Sequence, residues 1–172
     1  MSETMRMYGV VSDSIVDGPG YRTAIFVQGC PHHCEGCHNP ESHDFAAGKD
    51  MTLDEIEQKF TGNPLLDGIT LSGGEPFCQP AGCAELARRA HGKGLNVWCF
   101  TGYRYEALLE RAQSEPDVKA LLSEIDVLVD GPFVLAQRSL DLLYKGSKNQ
   151  RLIDLQKTRQ TGAITLWEPP QW

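Results

Sequence analysis

The chain has 172 residues, 41% of them apolar and 23% charged, and carries a formal net charge of −7. That length suits one sizeable hydrophobic core and is short for two, so residues 1–172 read as a single domain with a C-terminal extension after about 155. The acidic balance argues against nucleic-acid phosphate as the principal partner, because that attraction runs on Lys and Arg.

The opening residues MSETMRMYGVVSDS show no basic region followed by an apolar run, so no secretory signal is expected. No apolar stretch reaches the length of a membrane span, and no membrane partner is expected. YRTAIFVQG (21–29), rich in β-branched and aromatic residues and ending in Gly, predicts a strand. MTLDEIEQKF (51–60) pairs Thr52 with Glu55 three residues on, the capping-box pattern that opens a helix. GITLSGG (68–74) is a short apolar strand stopped by two glycines, and PAGCAELARRAHGKG (80–94) has helical spacing and a glycine stop.

LNVWCFTG (95–102) predicts the next strand, YEALLERAQ and DVKALLSE predict helices on either side of Pro116, and IDVLVDG (125–131) predicts a further strand. Beyond residue 131 the pattern weakens. PFVLAQRSLDLLY reads as helical, QRLIDL and AITLW as extended, and EPPQW as irregular. Strands alternating with amphipathic helices imply an α/β fold with a mostly parallel sheet. A complete (β/α) barrel takes about 250 residues. The expectation is therefore a partial (β/α) barrel of five to six strands, with a doubly wound open sheet as the alternative. Either way, ligands gather beyond the carboxyl ends of the parallel strands.

QGCPHHCEGCHNP (28–40) falls at such an end and places Cys30, Cys34 and Cys37 in a C-x-x-x-C-x-x-C run. Clustered cysteines without a secretory signal point to a reducing, cytoplasmic compartment and to metal ligation rather than disulfides. Two metals remain open on spacing alone. Zinc would take its fourth ligand from His32, His33, His38 or water. A cubane iron–sulfur cluster held by three thiolates would leave one iron free to bind something else. Cys78, Cys83 and Cys99 are scattered and read as small buried apolar residues. Asp17-Gly18-Pro19-Gly20 is turn chemistry, and the roles of Asn149 and Gln150 stay open.

The cysteine run resembles the cluster motif of the radical S-adenosylmethionine enzymes. SGGEP (72–76) is similar to that superfamily's glycine-rich motif, and DGPGYRTAIFVQGC (17–30) to the lead-in of activating enzymes for glycyl radical enzymes. VWCFTGY (97–103), IDVLVDGPF (125–133) and YKGSKNQR (144–151) resemble the activators of anaerobic ribonucleoside-triphosphate reductases. The resemblance implies a 4Fe–4S cluster on Cys30, Cys34 and Cys37, with S-adenosylmethionine chelating the fourth iron. It implies cofactor contacts from Gly36, Cys37, His38, Gly73, Gly74 and Glu75, with the Glu75 carboxylate accepting from the cofactor's ammonium.

The implied reaction is reductive cleavage to a 5′-deoxyadenosyl radical, which takes a hydrogen from a glycine of the reductase; no side-chain base is assigned. A low-potential donor such as flavodoxin or ferredoxin would supply the electron. Activation of a formate-lyase type enzyme, and a small-molecule reaction such as deazapurine synthesis, are the alternatives. A zinc module without enzymatic activity is the remaining one.

Overall fold

The structure, a computed structural model, describes residues 3–15, 17–32, 34–37, 40–139 and 142–169. Its strands are β1 (Thr4–Ser14), β2 (Arg22–Val27), β3 (Lys49–Thr52), β4 (Gly68–Gly73), β5 (Asn96–Phe100), β6 (Val127–Asp130) and β7 (Arg151–Asp154). Its helices are α1 (Leu53–Gln58), α2 (Pro80–Gly92), α3 (Tyr105–Ala112), α4 (Pro116–Glu124) and α5 (Leu155–Thr161). The strands form one sheet in the order β3-β1-β2-β4-β5-β6-β7. β2, β4, β5 and β6 are parallel neighbours, because each connection between them carries a helix long enough to return the chain. The pairings β1–β2, β1–β3 and β6–β7 are antiparallel.

The sheet thus has seven strands of mixed direction where five or six mostly parallel ones were expected. The difference lies at the edges. β1 buries Met5 and Met7 while Arg6 between them is half-buried and Tyr8 faces out, a period of two that marks a strand. β3 is four residues long and runs straight into the Thr52 cap of α1, so the helix signal hides it. That capping box is formed as expected: the Glu55 N–H donates to Thr52 Oγ1 and the Thr52 N–H to Glu55 Oε1.

Two further corrections concern the C-terminal third. The segment expected to be helical, 132–144, forms no α-helix among its described residues, which carry one 3₁₀ turn, Leu135–Gln137. Phe133 and Leu135, two apart, both pack toward Gly36, and that spacing is extended rather than helical. α5 was not expected, yet its signals are ordinary: Asp154 accepts from the Lys157 N–H, and Gly162 closes the helix at φ 75°.

Alternation along the central strands divides the protein into two faces. Ile25, Val27, Ile69, Leu71, Val97, Cys99 and Leu128 point one way and pack with Ile56, Leu86, Leu108 and Leu121 of the helices, all fully or nearly fully buried. Each such aliphatic side chain contributes about 1.5–3 kcal/mol through removal from water. The opposite face carries Phe26, Ser72 and Phe100 near the carboxyl ends of the strands, above a smaller apolar cluster of Trp98, Val127 and Val129. The C-terminal segment packs there. The Trp167 N–H donates to the Leu152 carbonyl at 2.8 Å, and its indole meets Trp98 edge-on with centroids 4.9 Å apart.

Arg22 is fully buried on this same face. Its guanidinium donates to Thr70 Oγ1 and to the carbonyls of Ile69 and Pro19, and lies 5.6 Å from the Trp98 ring centroid. Burial lowers its pKa to about 10, which leaves it charged at neutral pH. Gly18, at φ 135°, sits so close that a Cβ would come within 2.8 Å of Arg22 Cδ. The DGPG turn is therefore seated on a buried cation, and Asp17 is held at the rim of the open face. Among the described residues no helix is long and apolar enough to cross a membrane.

Candidate metal centre and cofactor pocket

The cysteine loop leaves the carboxyl end of β2. Its root is fixed by backbone bonds: the Gln28 N–H donates to the Arg6 carbonyl, Gly29 N–H to Ser42, and Cys30 N–H to His43. The Gln28 side chain adds bonds to the carbonyls of Glu41 and Asp44. Further along, the Cys37 N–H donates to the Cys34 carbonyl at 3.2 Å, closing a turn through Glu35 and Gly36. Gly36 takes φ 76°, and a Cβ there would stand 2.8 Å from Leu135 Cδ1. The loop is thus held from below by residues 40–44 and from the side by Phe133 and Leu135.

Cys30 is buried, and Cys34 and Cys37 are half-buried. All three line one cavity of about 300 Å³ together with Gly73 and Gly74, at the lower end of the range for small-molecule sites. Asp17, Phe26, Ser72, Phe100, Phe133 and Gln150 are also on its wall. Burial pushes the Cys30 thiol up to about 11. It is a neutral thiol until a cation displaces its proton, so metal uptake here releases a proton. Cys83 and Cys99 are fully buried thiols with pKa values raised by that burial, as expected of small core residues; Cys78 is partly exposed.

The glycine turn follows β4. Gly73 adopts φ 92°, and a Cβ there would lie 2.7 Å from Phe26 Cα; one on Gly74 would strike the Gly29 carbonyl. The Gly74 N–H donates to Val27 and the Glu75 N–H to Gly29, at 2.8 and 2.7 Å. What requires glycine here is backbone seated on backbone, joining the end of β4 to the start of the cysteine loop. The far side of the same turn lines the cavity.

Glu75, the residue expected to meet the cofactor's ammonium, has its place in the structure set by protein partners. It is fully buried, and protein donors occupy its carboxylate. Oε1 accepts from the Gly102 N–H at 2.8 Å and faces His32 Nε2 at 2.7 Å. Oε2 accepts from the Phe77 N–H at 3.0 Å, and the Thr101 hydroxyl lies within 2.9 Å of both oxygens. Four donors from three segments meet one buried carboxylate, as a buried charge requires.

His38 lies outside the described residues, as does His33. Gln150 holds its own loop: Oε1 accepts from the Gly146 and Ser147 N–H groups, and Nε2 donates to the Gly131 carbonyl. Asn149 donates to the Pro132 carbonyl. Thr101, Gly102 and His32 were legible as residues of quoted motifs, but their meeting at Glu75 depends on β4 and β5 being neighbours.

The donor set fits an iron–sulfur cluster. Three free thiols border one cavity. Cysteine thiolates are the ligands that hold iron–sulfur clusters.

Comparison with known proteins agrees with this chemistry. The model of a 4Fe–4S single cluster domain matches residues 16–153, so the chain is a member of that iron–sulfur class. The chain is 34% identical over 147 residues to the anaerobic ribonucleoside-triphosphate reductase-activating protein of Haemophilus influenzae, covering 79% of this chain and 89% of the relative. To the same-named protein of Salmonella typhi it is 36% identical over 157 residues, covering 85% and 96%. The pyruvate formate-lyase-activating enzyme of Clostridium pasteurianum is 37% identical over 106 residues, covering 58% and 44%. Within its class the chain belongs to the family of anaerobic ribonucleoside-triphosphate reductase-activating proteins.

Proposed function

We propose that this protein is a radical S-adenosylmethionine enzyme that installs a glycyl radical on an anaerobic ribonucleoside-triphosphate reductase. The observation that carries the reading is the shared cavity: the three loop cysteines and the Gly73–Gly74 turn line it together, in a chain of the activating-protein family. Cys30, Cys34 and Cys37 would hold the 4Fe–4S cluster. Gly36, Cys37, His38, Gly73 and Gly74 would border S-adenosylmethionine, with Glu75 shaping the turn from behind. When bound, the cluster supplies the electron that cleaves the sulfonium and yields a 5′-deoxyadenosyl radical able to take the glycine hydrogen.

The chain's own contribution is placement and shielding. The glycine turn and the cysteine loop are locked to one another by the Gly74 and Glu75 N–H bonds, so both halves of the cavity keep one register. Phe26, Phe100 and Phe133 give it apolar walls that exclude water from a radical. All five helices share their core with one face of the sheet, and the opposite face would be the interior of a partial (β/α) barrel. Its open side would admit a glycine-bearing loop. The single domain would work in the cytoplasm with a low-potential donor such as flavodoxin or ferredoxin.

The test is anaerobic: load the protein with iron and sulfide, reduce it, and add S-adenosylmethionine with the reductase. A glycyl radical signal by electron paramagnetic resonance, with stoichiometric 5′-deoxyadenosine, is expected. Cofactor cleavage with no radical on the reductase would overturn the partner assignment, and no cleavage would overturn the reaction. Activation of a formate-lyase type enzyme is the second reading, favoured by the Clostridium match, and running that lyase in parallel separates the two.

A further inference from the structure

We propose that His32 is a positioning residue: its hydrogen bond to Glu75 clamps the cysteine loop onto the glycine turn and fixes the spacing between the two halves of the pocket. The inference rests on the proposed cluster chemistry for its purpose, but its geometry belongs to this chain alone. His32 lies between Cys30 and Cys34, with a side chain only 16% exposed, and its Nε2 is 2.7 Å from Glu75 Oε1. An ionised carboxylate only accepts, so Nε2 carries the hydrogen and donates it.

The surroundings are built to receive this ring. His32 stands edge-on to Tyr103 with centroids 4.6 Å apart. Gly102 passes directly beneath it, where a Cβ would collide with the imidazole. Tyr103 is backed in turn by the Arg111 guanidinium, 5.0 Å from its ring centroid. The Thr101-Gly102-Tyr103 stretch that follows β5 therefore supplies a floor, a wall and two of the donors to Glu75. Through Glu75 the histidine reaches the same residue whose N–H is anchored on Gly29, one position before Cys30. The side-chain bond and the backbone bond together close a ring around the root of the cysteine loop.

Without the donor, the loop would keep its root but lose the tie nearest Cys34, and a buried carboxylate would be one partner short. The consequence is a cysteine loop free to drift relative to the glycine turn. Retention of the cluster should then suffer even where the fold survives.

The experiment compares His32→Gln, which can place a side-chain N–H near the same point, with His32→Phe, which fills the space without a donor, and with His32→Ala. Each is loaded with iron and sulfide, and the visible absorbance of the cluster is followed after adding a chelator. We expect loss about tenfold faster than wild type in the Phe and Ala variants, and within about twofold of wild type in the Gln variant. Phe as slow as wild type would overturn the proposal, because packing alone would suffice. Gln as fast as Phe would overturn it too, because the donor would not be what matters.

Amide hydrogen exchange at Gly102 and Phe77 in the metal-free proteins gives a readout independent of the cluster. Exchange about tenfold faster in the Phe than in the Gln variant supports the clamp, and equal rates defeat it. A wild type that takes up no cluster would sink the proposed function while leaving the clamp to be judged by exchange.

Discussion

Replacing Glu75 by Gln keeps the shape of the side chain and removes one acceptor. In the structure Oε2 accepts from the Phe77 N–H, while Oε1 accepts from Gly102 and His32. An amide must put its NH₂ at one of these positions. The less damaging choice faces Phe77, where Thr101 Oγ1 can turn to accept, but the Phe77 N–H is then left without a partner in a buried place. A stranded buried donor costs about 1–3 kcal/mol, so we take about 2 kcal/mol as the expected loss. For a chain of this size that corresponds to a fall in Tm of about 4–8 °C. The assay is thermal unfolding by circular dichroism on metal-free, cofactor-free protein at neutral pH. Were Glu75 present only to meet a ligand, the ligand-free variant would melt at or above the wild-type temperature. Such a result would refute the reading of Glu75 as an internal hub.

Two more predictions concern regions away from the cavity. His91 sits between Glu124 and Asp126, at 2.9 and 3.0 Å; burial opposes its charge, but the bonds to Asp126 and Glu124 prevail and its pKa is raised above 6.5. A raised folded-state pKa means that the stabilisation is complete below pH 6.5 and fades as pH climbs through the higher value. His91→Gln should therefore lower Tm at pH 6 and leave it unchanged at pH 9, the loss staying below about 1 kcal/mol because the site is partly solvated. Trp167→Ala should cost about 1–2 kcal/mol and abolish the near-ultraviolet dichroism of the Trp98–Trp167 pair, since the two indoles stand edge-to-face. An unchanged near-ultraviolet spectrum would show that the C-terminal segment does not pack on the open face.

The local signals were strong wherever a segment's structure is set by its own neighbours in sequence. Thr52 and Glu55 form the capping box that their spacing implies. The apolar runs at 68–74 and 95–102 became β4 and β5, because such short runs bounded by glycine have little alternative to a buried strand. Cys30, Cys34 and Cys37 could be singled out because eight residues of one loop contain all three thiols.

Position across the sheet was a different matter. That Glu75 would face His32 and Gly102 could not be read from SGGEP: its partners lie 43 and 27 residues away and arrive only when β4 takes its place between β2 and β5. The same holds for the glycines, whose absent Cβ atoms make room for the neighbouring strand's backbone. It holds again for Trp167, whose partner Trp98 sits on a strand 69 residues earlier, on the face the helices leave open. Spacing within one segment settles which chemistry a chain can carry, since a ligand set or a cap closes over a few residues. Which of those groups turns to the cavity and which is spent inside the protein depends on strand order, because only pairing between distant segments decides what each side chain meets.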